Sequence, residues 1–269
     1  MKNRVIFIFV LLMFIFSKVS AITNGGPDNG GHPYVGLAVM QDASGNPLWR
    51  CSGTLIAPQL FITAAHCTDG AHGASIWFEE DIEAGIPDNG YPYSGAKSFS
   101  GTPYSHPSFN LATFFLHDLG VIVLDHPVVL GKYGMLPVQG QLDVLRSNRG
   151  EQDASFSAVG YGLQKSSPLD KFDEEYLVRL QATLYLVDIT GTVGVPRDTS
   201  IMLTANVHTG GTCFGDSGGP IFADNSHIVV AVTSFAMNGN CVGVSGGYRL
   251  DQPDDLDWLY SEFGYLLVN

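Results

Sequence analysis

The sequence has few charged residues, and few of those are basic. Only 14% of its 269 residues are charged, and 13 Lys and Arg stand against 26 Asp and Glu, for a net charge of −13. A chain this acidic lacks the positive surface that binds phosphates, and anionic lipid should repel it. We therefore expect neither nucleic acid nor a membrane as a partner of the processed chain.

Long hydrophobic runs are absent except at the N-terminus. Lys2 and Arg4 precede an unbroken apolar run of twelve residues, 5–16, and small residues follow at 19–21. The run is short for a membrane span, and the order basic, apolar, small is typical of a secretory signal peptide. We predict a signal peptide over residues 1–21 and a secreted product. A membrane anchor is the alternative.

Cysteine is scarce, and no C-x2-C pair occurs among the four. An even number of cysteines behind a secretion signal favours two disulfides. Four cysteines allow three pairings, and the sequence alone does not choose among them. Spacing favours the local pairs Cys51 with Cys67 and Cys213 with Cys241. A zinc site is the alternative, but the missing C-x2-C spacing argues against it, and we predict no metal and no cofactor.

Internal repeats are absent too, and short apolar or alternating runs separated by Gly, Pro, Asn and Asp fill most of the chain after residue 21. The runs that fit strands are residues 35–40, 54–56, 60–63, 75–78, 120–124, 155–161, 177–187, 201–207, 227–235 and 247–250. Strands at this density favour an all-β sandwich or barrels. Residues 82–108 and 131–150 are predicted loops. A C-terminal helix, capped by Asp254 or Asp255, is predicted from apolar residues at helical spacing.

Residues 215–220, Gly-Asp-Ser-Gly-Gly-Pro, place Ser217 among glycines. Glycines permit a sharp turn that exposes the hydroxyl and lets a substrate carbonyl approach the backbone. A serine hydroxyl is a poor nucleophile at neutral pH, so it needs a base, and the base needs an orienting acid. The negative intermediate needs N–H donors. The segment therefore predicts a histidine and an acid elsewhere in the chain.

His66 is the best candidate for the base among eight histidines. It follows the strand-like run 60–63 and two alanines, and Cys67 fixes its far side. We interpret the other histidines as exposed or structural. Asp118 opens an apolar strand, where a partly buried carboxylate needs a partner such as a histidine N–H. Asp125, at the far end of that strand, is the rival acid.

The serine turn also satisfies the G-x-S-x-G pattern of α/β-hydrolases, so an esterase or lipase is an alternative. That fold needs its acid and histidine after the serine, together with alternating helices. Only 52 residues follow Ser217, and His227 is the only histidine among them. The segment is strand-rich, so the pattern favours partners that precede the serine.

Three segments together resemble the chymotrypsin/trypsin family of serine proteases. They are residues 63–67 (TAAHC), 118–122 (DLGVI) and 215–220 (GDSGGP), in the order His, Asp, Ser. The resemblance implies an all-β fold of two packed six-stranded antiparallel β-barrels, here residues 22–140 and 141–269, the second with the terminal helix. Both local cysteine pairs match disulfides of the family. We expect a monomer that acts on proteins or peptides.

The resemblance also implies a role for each motif residue. His66 is the general base and then the acid, and Asp118 orients it and stabilises the imidazolium. Ser217 attacks the scissile carbonyl and forms an acyl-enzyme. The backbone N–H groups of Gly215 and Ser217 form the oxyanion hole.

Activation in this family implies an ion pair between a new N-terminus and the aspartate before the nucleophile. Ile22 and Asp216 hold these positions, although one extra residue precedes the glycines at 25 and 26. Because Ile22 follows the predicted signal cleavage site directly, signal removal itself would create the active N-terminus. The alternative is cleavage elsewhere, with Ile22 only leading into the first strand.

The pocket for the P1 side chain is expected to have Gly211 at its floor, where trypsin-like members carry aspartate. Its expected walls are Thr212, Phe214, Ser234, Phe235, Ala236 and Gly246. Ala236 stands where glycine is usual, so its methyl group narrows the pocket. Without a buried acid, a cationic side chain would lose its charge partner on entry. We therefore predict a preference for uncharged, apolar P1 residues.

Two further alternatives concern function and metal binding. A homologue that has lost catalysis could act as a secreted binding or adhesion protein, but the three motif residues are all present. An acidic cluster, Glu79, Glu80, Asp81 and Glu83, lies near where some relatives hold calcium. A solvated loop is the simpler interpretation of this cluster.

Overall fold

The computed structural model describes residues 22–147, 154–164, 176–191 and 195–267, so the predicted signal peptide lies outside the described residues. The described part contains the strands β1 (Gly26–Pro27), β2 (Val35–Gln41), β3 (Pro47–Ala57), β4 (Leu60–Thr63), β5 (Gly73–Trp77), β6 (Phe99–Ser105), β7 (Gly120–Leu124), β8 (Ser155–Gly160), β9 (Leu180–Asp188), β10 (Ser200–Ala205), β11 (Pro220–Ala223), β12 (Val229–Ala236) and β13 (Gly243–Arg249). Its α-helices are α1 (Ala65–Thr68) and α2 (Pro253–Leu267). Neither is long and apolar enough to cross a membrane.

The first barrel closes in the order β2-β3-β4-β7-β6-β5 through antiparallel pairs. Every residue of β2 and β4 is buried. One face of each strand fills the barrel, and the outward face is covered by other parts of the chain, among them α2 and the second barrel. Burial on both faces explains why these strands read as apolar runs rather than as strict alternation.

The second barrel is formed by β8 to β13. Its sheet runs β1-β9-β10-β13-β12-β11-β8, and the pairing of β8 with β9 closes it, with β1 added at the edge of β9. Alternate residues of β9 are buried, so this strand shows the period of two that a barrel wall requires. The predicted all-β fold of two six-stranded antiparallel barrels with a C-terminal helix is confirmed. The division at residue 140 stays a prediction.

Several details of the secondary structure differ from the prediction, and the strand β11 was not predicted at all. The predicted loop 82–108 is wrong in its last part, because β6 lies there. Gly101 and Pro103 hid this strand, since both residues are usually strand breakers. Gly101 is needed where it is, because a Cβ atom there would lie 2.7 Å from Ile122 Cγ2. The helix α2 begins at Pro253, so Asp254 and Asp255 lie in its first turn and not at its cap.

A buried ion-pair network connects the two halves of the chain. The guanidinium group of Arg179 donates from Nε to Asp28 Oδ2 at 2.8 Å, and from Nη1 to the carbonyl oxygens of Val35 and Phe78 and to the hydroxyl of Tyr161. Both charged side chains are at most 2% exposed. Burial alone would raise the pKa of Asp28, but hydrogen bonds from His32 and Arg179 outweigh it and lower the pKa to about 2.

We predict that Arg179→Met lowers the free energy of unfolding by about 3–5 kcal/mol in denaturant titrations, because it leaves Asp28 buried without its cation. Arg146→Met is the control, since Arg146 is 42% exposed and its pairs should contribute at most about 1 kcal/mol. Because folding lowers the Asp28 pKa from 3.8 to about 2, its contribution is present above pH 3.8 and lost as pH falls toward 2. Equal losses in the two variants would contradict the assignment.

Candidate active site

Pairing of two strands brings His66 and Asp118 together. The strands β4 and β7 run antiparallel with Thr63 opposite Gly120. His66, in α1 directly after β4, therefore lies beside Asp118, directly before β7. The disulfide between Cys51 and Cys67 attaches α1 to β3, so the histidine is held from both sides.

The side chain of Asp118 is fully buried and accepts hydrogen bonds from His66 and Ser234. The imidazole Nδ1 of His66 lies 2.9 Å from Oδ2 and 3.2 Å from Oδ1, and the backbone N–H of His66 donates to Oδ1 at 2.9 Å. The hydroxyl of Ser234 donates to Oδ2 at 2.6 Å. A ring that donates from Nδ1 keeps its lone pair on Nε2, and the His66 side chain is 21% exposed. The arrangement leaves Nε2 available as a base.

The contact of Ser234 with Asp118 was not predicted from the sequence. Ser234 was expected only in the pocket wall, but its hydroxyl faces Asp118, which lies 116 positions away in the sequence. No local pattern connects two residues so far apart. Only the closing of both barrels brings the end of β12 to the start of β7.

The turn that carries Ser217 packs directly against the residues that precede His66. Gly215 and Gly218 have φ of +97° and +75°, which only glycine adopts without strain. A Cβ atom on Gly218 would collide with the side chain of Thr63 and lie 2.6 Å from the amide nitrogen of Ala64. The carbonyl of Ser217 also accepts a hydrogen bond from Ser52 N–H at 2.8 Å. The glycines therefore allow a close approach of this turn to the end of β4.

The same turn presents unused backbone donors. Within the described ranges, the N–H groups of Gly215 and Ser217 donate to no protein acceptor. The hydroxyl of Ser52 donates to the carbonyl of Gly215 at 2.9 Å and so fixes the orientation of that residue. Two fixed, unoccupied donors beside a serine can bind the negative oxygen of a tetrahedral intermediate.

Asp216 is buried beside this turn. Its carboxylate accepts hydrogen bonds from the backbone N–H groups of Gly162, at 2.8 Å, and Cys213, at 2.9 Å. Burial raises the pKa of Asp216 to about 7, although these two hydrogen bonds and the charge of Arg50 oppose the rise. Ile22 is buried as well, but in this chain its nitrogen is in a peptide bond and carries no charge. The ion pair with Asp216 stays a prediction.

The position predicted for the pocket floor is tightly packed. Gly211 N–H donates to the carbonyl of Thr23 at 2.9 Å, and the hydroxyl of Thr23 donates back to the Gly211 carbonyl at 3.0 Å. A Cβ atom on Gly211 would lie 2.5 Å from the Cβ of Ala205. The backbone at this position therefore leaves no room for an aspartate side chain.

The residues predicted as pocket walls fall into separate groups. The ring of Phe235 packs over Gly246, its partner across β12 and β13. Ala236 packs against the disulfide between Cys213 and Cys241. Two further predicted residues differ in exposure, because Thr212 is buried whereas Phe214 is 52% exposed.

The acidic cluster near the start of the 82–108 segment already has partners in the chain. Lys97 Nζ lies 2.9 Å from Glu79 Oε1, and the amide of Asn89 donates to Glu79 Oε2. Asp81 accepts from the backbone N–H of Ala84. The ammonium group of Lys97 therefore already supplies positive charge to Glu79, where a calcium ion would have to bind.

Together, the two barrels and the histidine, acid and serine turn between them define a chymotrypsin-like protein. A family model described as Trypsin matches residues 25–249. The chain belongs to the trypsin family of serine proteases, and the predicted family is confirmed.

Curated relatives and solved structures agree with this assignment. Serine protease 1 of Drosophila melanogaster is 28% identical over 250 residues, which cover 90% of this chain and 86% of the relative. Brachyurin of Leptuca pugilator is 28% identical over 227 residues, which cover 81% and 89%. The structure of HL collagenase aligns with a TM-score of 0.69 at 22% identity, over 90% of this chain and 99% of that one. Human heparin binding protein aligns at 0.63 and 18%, over 90% and 97%. These structures share the fold.

Proposed function

We propose that the chain is a secreted, monomeric serine endopeptidase that hydrolyses peptide bonds in proteins through an acyl-enzyme. The observation that carries this proposal is the buried carboxylate of Asp118, bonded to Nδ1 of His66 beside the Ser217 turn. The two disulfides support secretion, because such bonds form and persist in oxidising compartments. Family membership supports protein substrates.

The mechanism follows from the roles that these groups can take. Nε2 of His66 accepts the proton of the Ser217 hydroxyl while Oγ attacks the scissile carbonyl carbon. The N–H groups of Gly215 and Ser217 stabilise the negative oxygen, and Asp118 stabilises the imidazolium. His66 then gives its proton to the leaving amine as the acyl-enzyme forms. His66 then takes a proton from a water molecule whose oxygen attacks the acyl carbon. It returns that proton to Ser217 Oγ as the ester bond breaks and the carboxylic acid product leaves.

Ser217→Ala should abolish labelling by a fluorophosphonate probe and lower kcat for peptide hydrolysis by about 10⁵-fold or more, because no other group replaces the nucleophile. Asp118→Asn should lower kcat by about 10⁴-fold while preserving the fold. Ser44→Ala, at an exposed loop position, is the control and should be unchanged. A folded, disulfide-bonded wild type with Ile22 as its free N-terminus that neither reacts with the probe nor cleaves casein would instead support the binding or adhesion alternative.

The heparin-binding relative does not favour that alternative for this chain. Its name refers to a polyanionic ligand, whereas this chain carries a net charge of −13. A negative protein is repelled by a polyanion. The likeness to that protein therefore gives no support to a binding function for this chain.

We also propose an uncharged, apolar P1 preference, since Gly211 leaves no acid and no space for one at the pocket floor. A peptide library should show cleavage after Leu, Phe or Tyr with kcat/KM at least about 100-fold above that after Arg or Lys, because a buried cation without a partner is costly. The matched measurement uses peptides that differ only at P1. Equal rates after Arg and after Leu would overturn the preference.

Activation is proposed to follow from release of Ile22 as a free N-terminus. Its ammonium group would pair with Asp216, whose buried carboxyl in the uncleaved chain has a pKa of about 7. In the uncleaved chain the folded state holds a proton on Asp216 that the unfolded state, at pKa 3.8, releases. That contribution to stability is present below pH 3.8 and is lost as pH rises through 7.

A chain with a removable tag before Ile22 tests this activation proposal. Uncleaved, it should be inactive and lose stability between pH 4 and 7 in thermal scans, and Asp216→Asn should flatten this slope. After tag removal, Asp216→Asn should lower activity strongly, whereas Asp257→Asn, at an exposed position of α2, should change neither property. Full activity of the tagged chain would refute the activation route.

A further inference from the structure

A cluster of two histidines and one aspartate lies behind Asp118 and takes no part in the proposed mechanism. We call it the His–His–Asp cluster: His106, after β6; His117, directly before Asp118; and Asp255, in the first turn of α2. His106 and Asp255 are buried, at 5% and 0% exposure. Three separate parts of the chain therefore bring ligand-type side chains to one place.

The spacing within the cluster is close to that of a metal site. One ligand atom from each of the three residues lies within 4.8 Å of the other two. His106 Nε2 and Asp255 Oδ1 are 3.9 Å apart, and the two imidazole centroids are 5.0 Å apart. Zinc binds nitrogen and carboxylate oxygen at about 2.0–2.2 Å in a tetrahedron, so its ligand atoms are about 3.3–3.6 Å apart. The two rings are stacked nearly parallel, at an interplanar angle of 10°, so the ring of His117 must turn before both imidazoles can point at one ion.

Two polar atoms of the cluster are buried without hydrogen-bond partners in the described part of the chain: Asp255 Oδ1 and His117 Nδ1. The other oxygen of Asp255 accepts from the hydroxyl of Tyr248 at 2.7 Å. Asp254 Oδ2 lies 3.0 Å from His117 Nδ1, where it can form an ion pair with a protonated ring, but the two atoms form no hydrogen bond. Buried polar atoms without partners are costly and unusual.

We propose that His106, His117 and Asp255 bind one divalent transition-metal ion, with zinc as the preferred ion. A metal ion would satisfy both orphaned atoms at once. Two imidazoles and one carboxylate suit zinc, whereas calcium and magnesium prefer sets made of oxygen atoms. Asp254, whose side chain is 51% exposed, or a water molecule completes the tetrahedron.

Metal binding changes the hydrogen bond between His106 and Ser108. Its Nδ1 accepts a 3.2 Å hydrogen bond from the backbone N–H of Ser108. Coordination through Nε2 places the ring proton on Nδ1, so this bond must break. Zinc therefore exposes the amide of Ser108, and its hydrogen exchange becomes faster.

The His–His–Asp cluster is coupled through the backbone to Asp118, the aspartate proposed to orient His66. His117 is covalently adjacent to Asp118 and has a left-handed φ of +52°. Rotation of His117 toward a metal ion shifts the Asp118 backbone and weakens the hydrogen bonds between Asp118 and His66. This effect rests on the proposed protease function. Zinc lowers kcat for peptide hydrolysis and leaves KM nearly unchanged, because Asp118 contacts His66 and not the substrate.

Zinc titration of the full processed chain carrying Ser217→Ala tests binding without activity or self-digestion. Calorimetry should give one zinc ion per chain, and His106→Gln or the nearly isosteric Asp255→Asn should weaken binding at least about 100-fold. His72→Gln, at an exposed position, is the matched control. His66→Gln excludes binding at the catalytic histidine. Circular dichroism verifies the fold of each variant.

The outcomes separate the site from the proposed function. Loss of binding in His106→Gln and Asp255→Asn, with faster exchange at Ser108, supports the site. Binding that survives both changes, or that disappears only in His66→Gln, overturns it. A kcat that zinc lowers in the active chain but not in its Asp255→Asn variant supports the coupling. A kcat unchanged at saturating zinc overturns the coupling, whether or not the metal binds.

Discussion

The fully buried carboxylate of Asp118 is the group on which the rest of the site depends. A carboxylate without water must be surrounded by donors, because its desolvation otherwise costs several kcal/mol. The first barrel supplies two donors, the backbone N–H and the imidazole of His66, and β12 of the second barrel supplies the Ser234 hydroxyl. One electrostatic requirement therefore orients the histidine and also fixes the end of β12, where the expected specificity pocket begins.

Close backbone contacts extend this constraint from the acid to the serine turn and the pocket. Gly218 lies so near Thr63 and Ala64 that no side chain fits, and Gly211 also lies too near Ala205 to carry one. The first contact sets the position of Ser217 relative to α1. The second excludes an acid at the expected pocket floor. Catalytic geometry and the proposed P1 preference thus both result from glycines held against neighbouring chain segments.

The sequence predicted those features that have a local pattern. Apolar runs identified β2, β4 and β7, and short motifs around His66, Asp118 and Ser217 indicated the family and thereby the two barrels. Contacts between distant segments have no such pattern. The hydrogen bond of Ser234 to Asp118 and the pairing of Arg179 with Asp28, 151 positions apart, exist only once the barrels close. The strands β6 and β11 were not predicted. In β6, Gly101 and Pro103 are typical of a loop, although the barrel leaves no room for a Cβ atom at Gly101.

Three buried aspartates show how the surroundings of a carboxyl decide its state. Asp28 has the permanent partner Arg179, and its pKa falls to about 2. Asp118 has three fixed donors and faces a ring that can become cationic during the proposed reaction. Asp216 has two backbone donors, and burial raises its pKa to about 7. The ionised carboxyl of Asp216 is therefore stabilised most by a new cation. The cation offsets a desolvation penalty that the other two carboxyl groups do not bear. On the proposed activation, the N-terminus that cleavage before Ile22 creates supplies this cation to Asp216. The Asp28 site differs, because Arg179 supplies its cation in the folded chain without any cleavage.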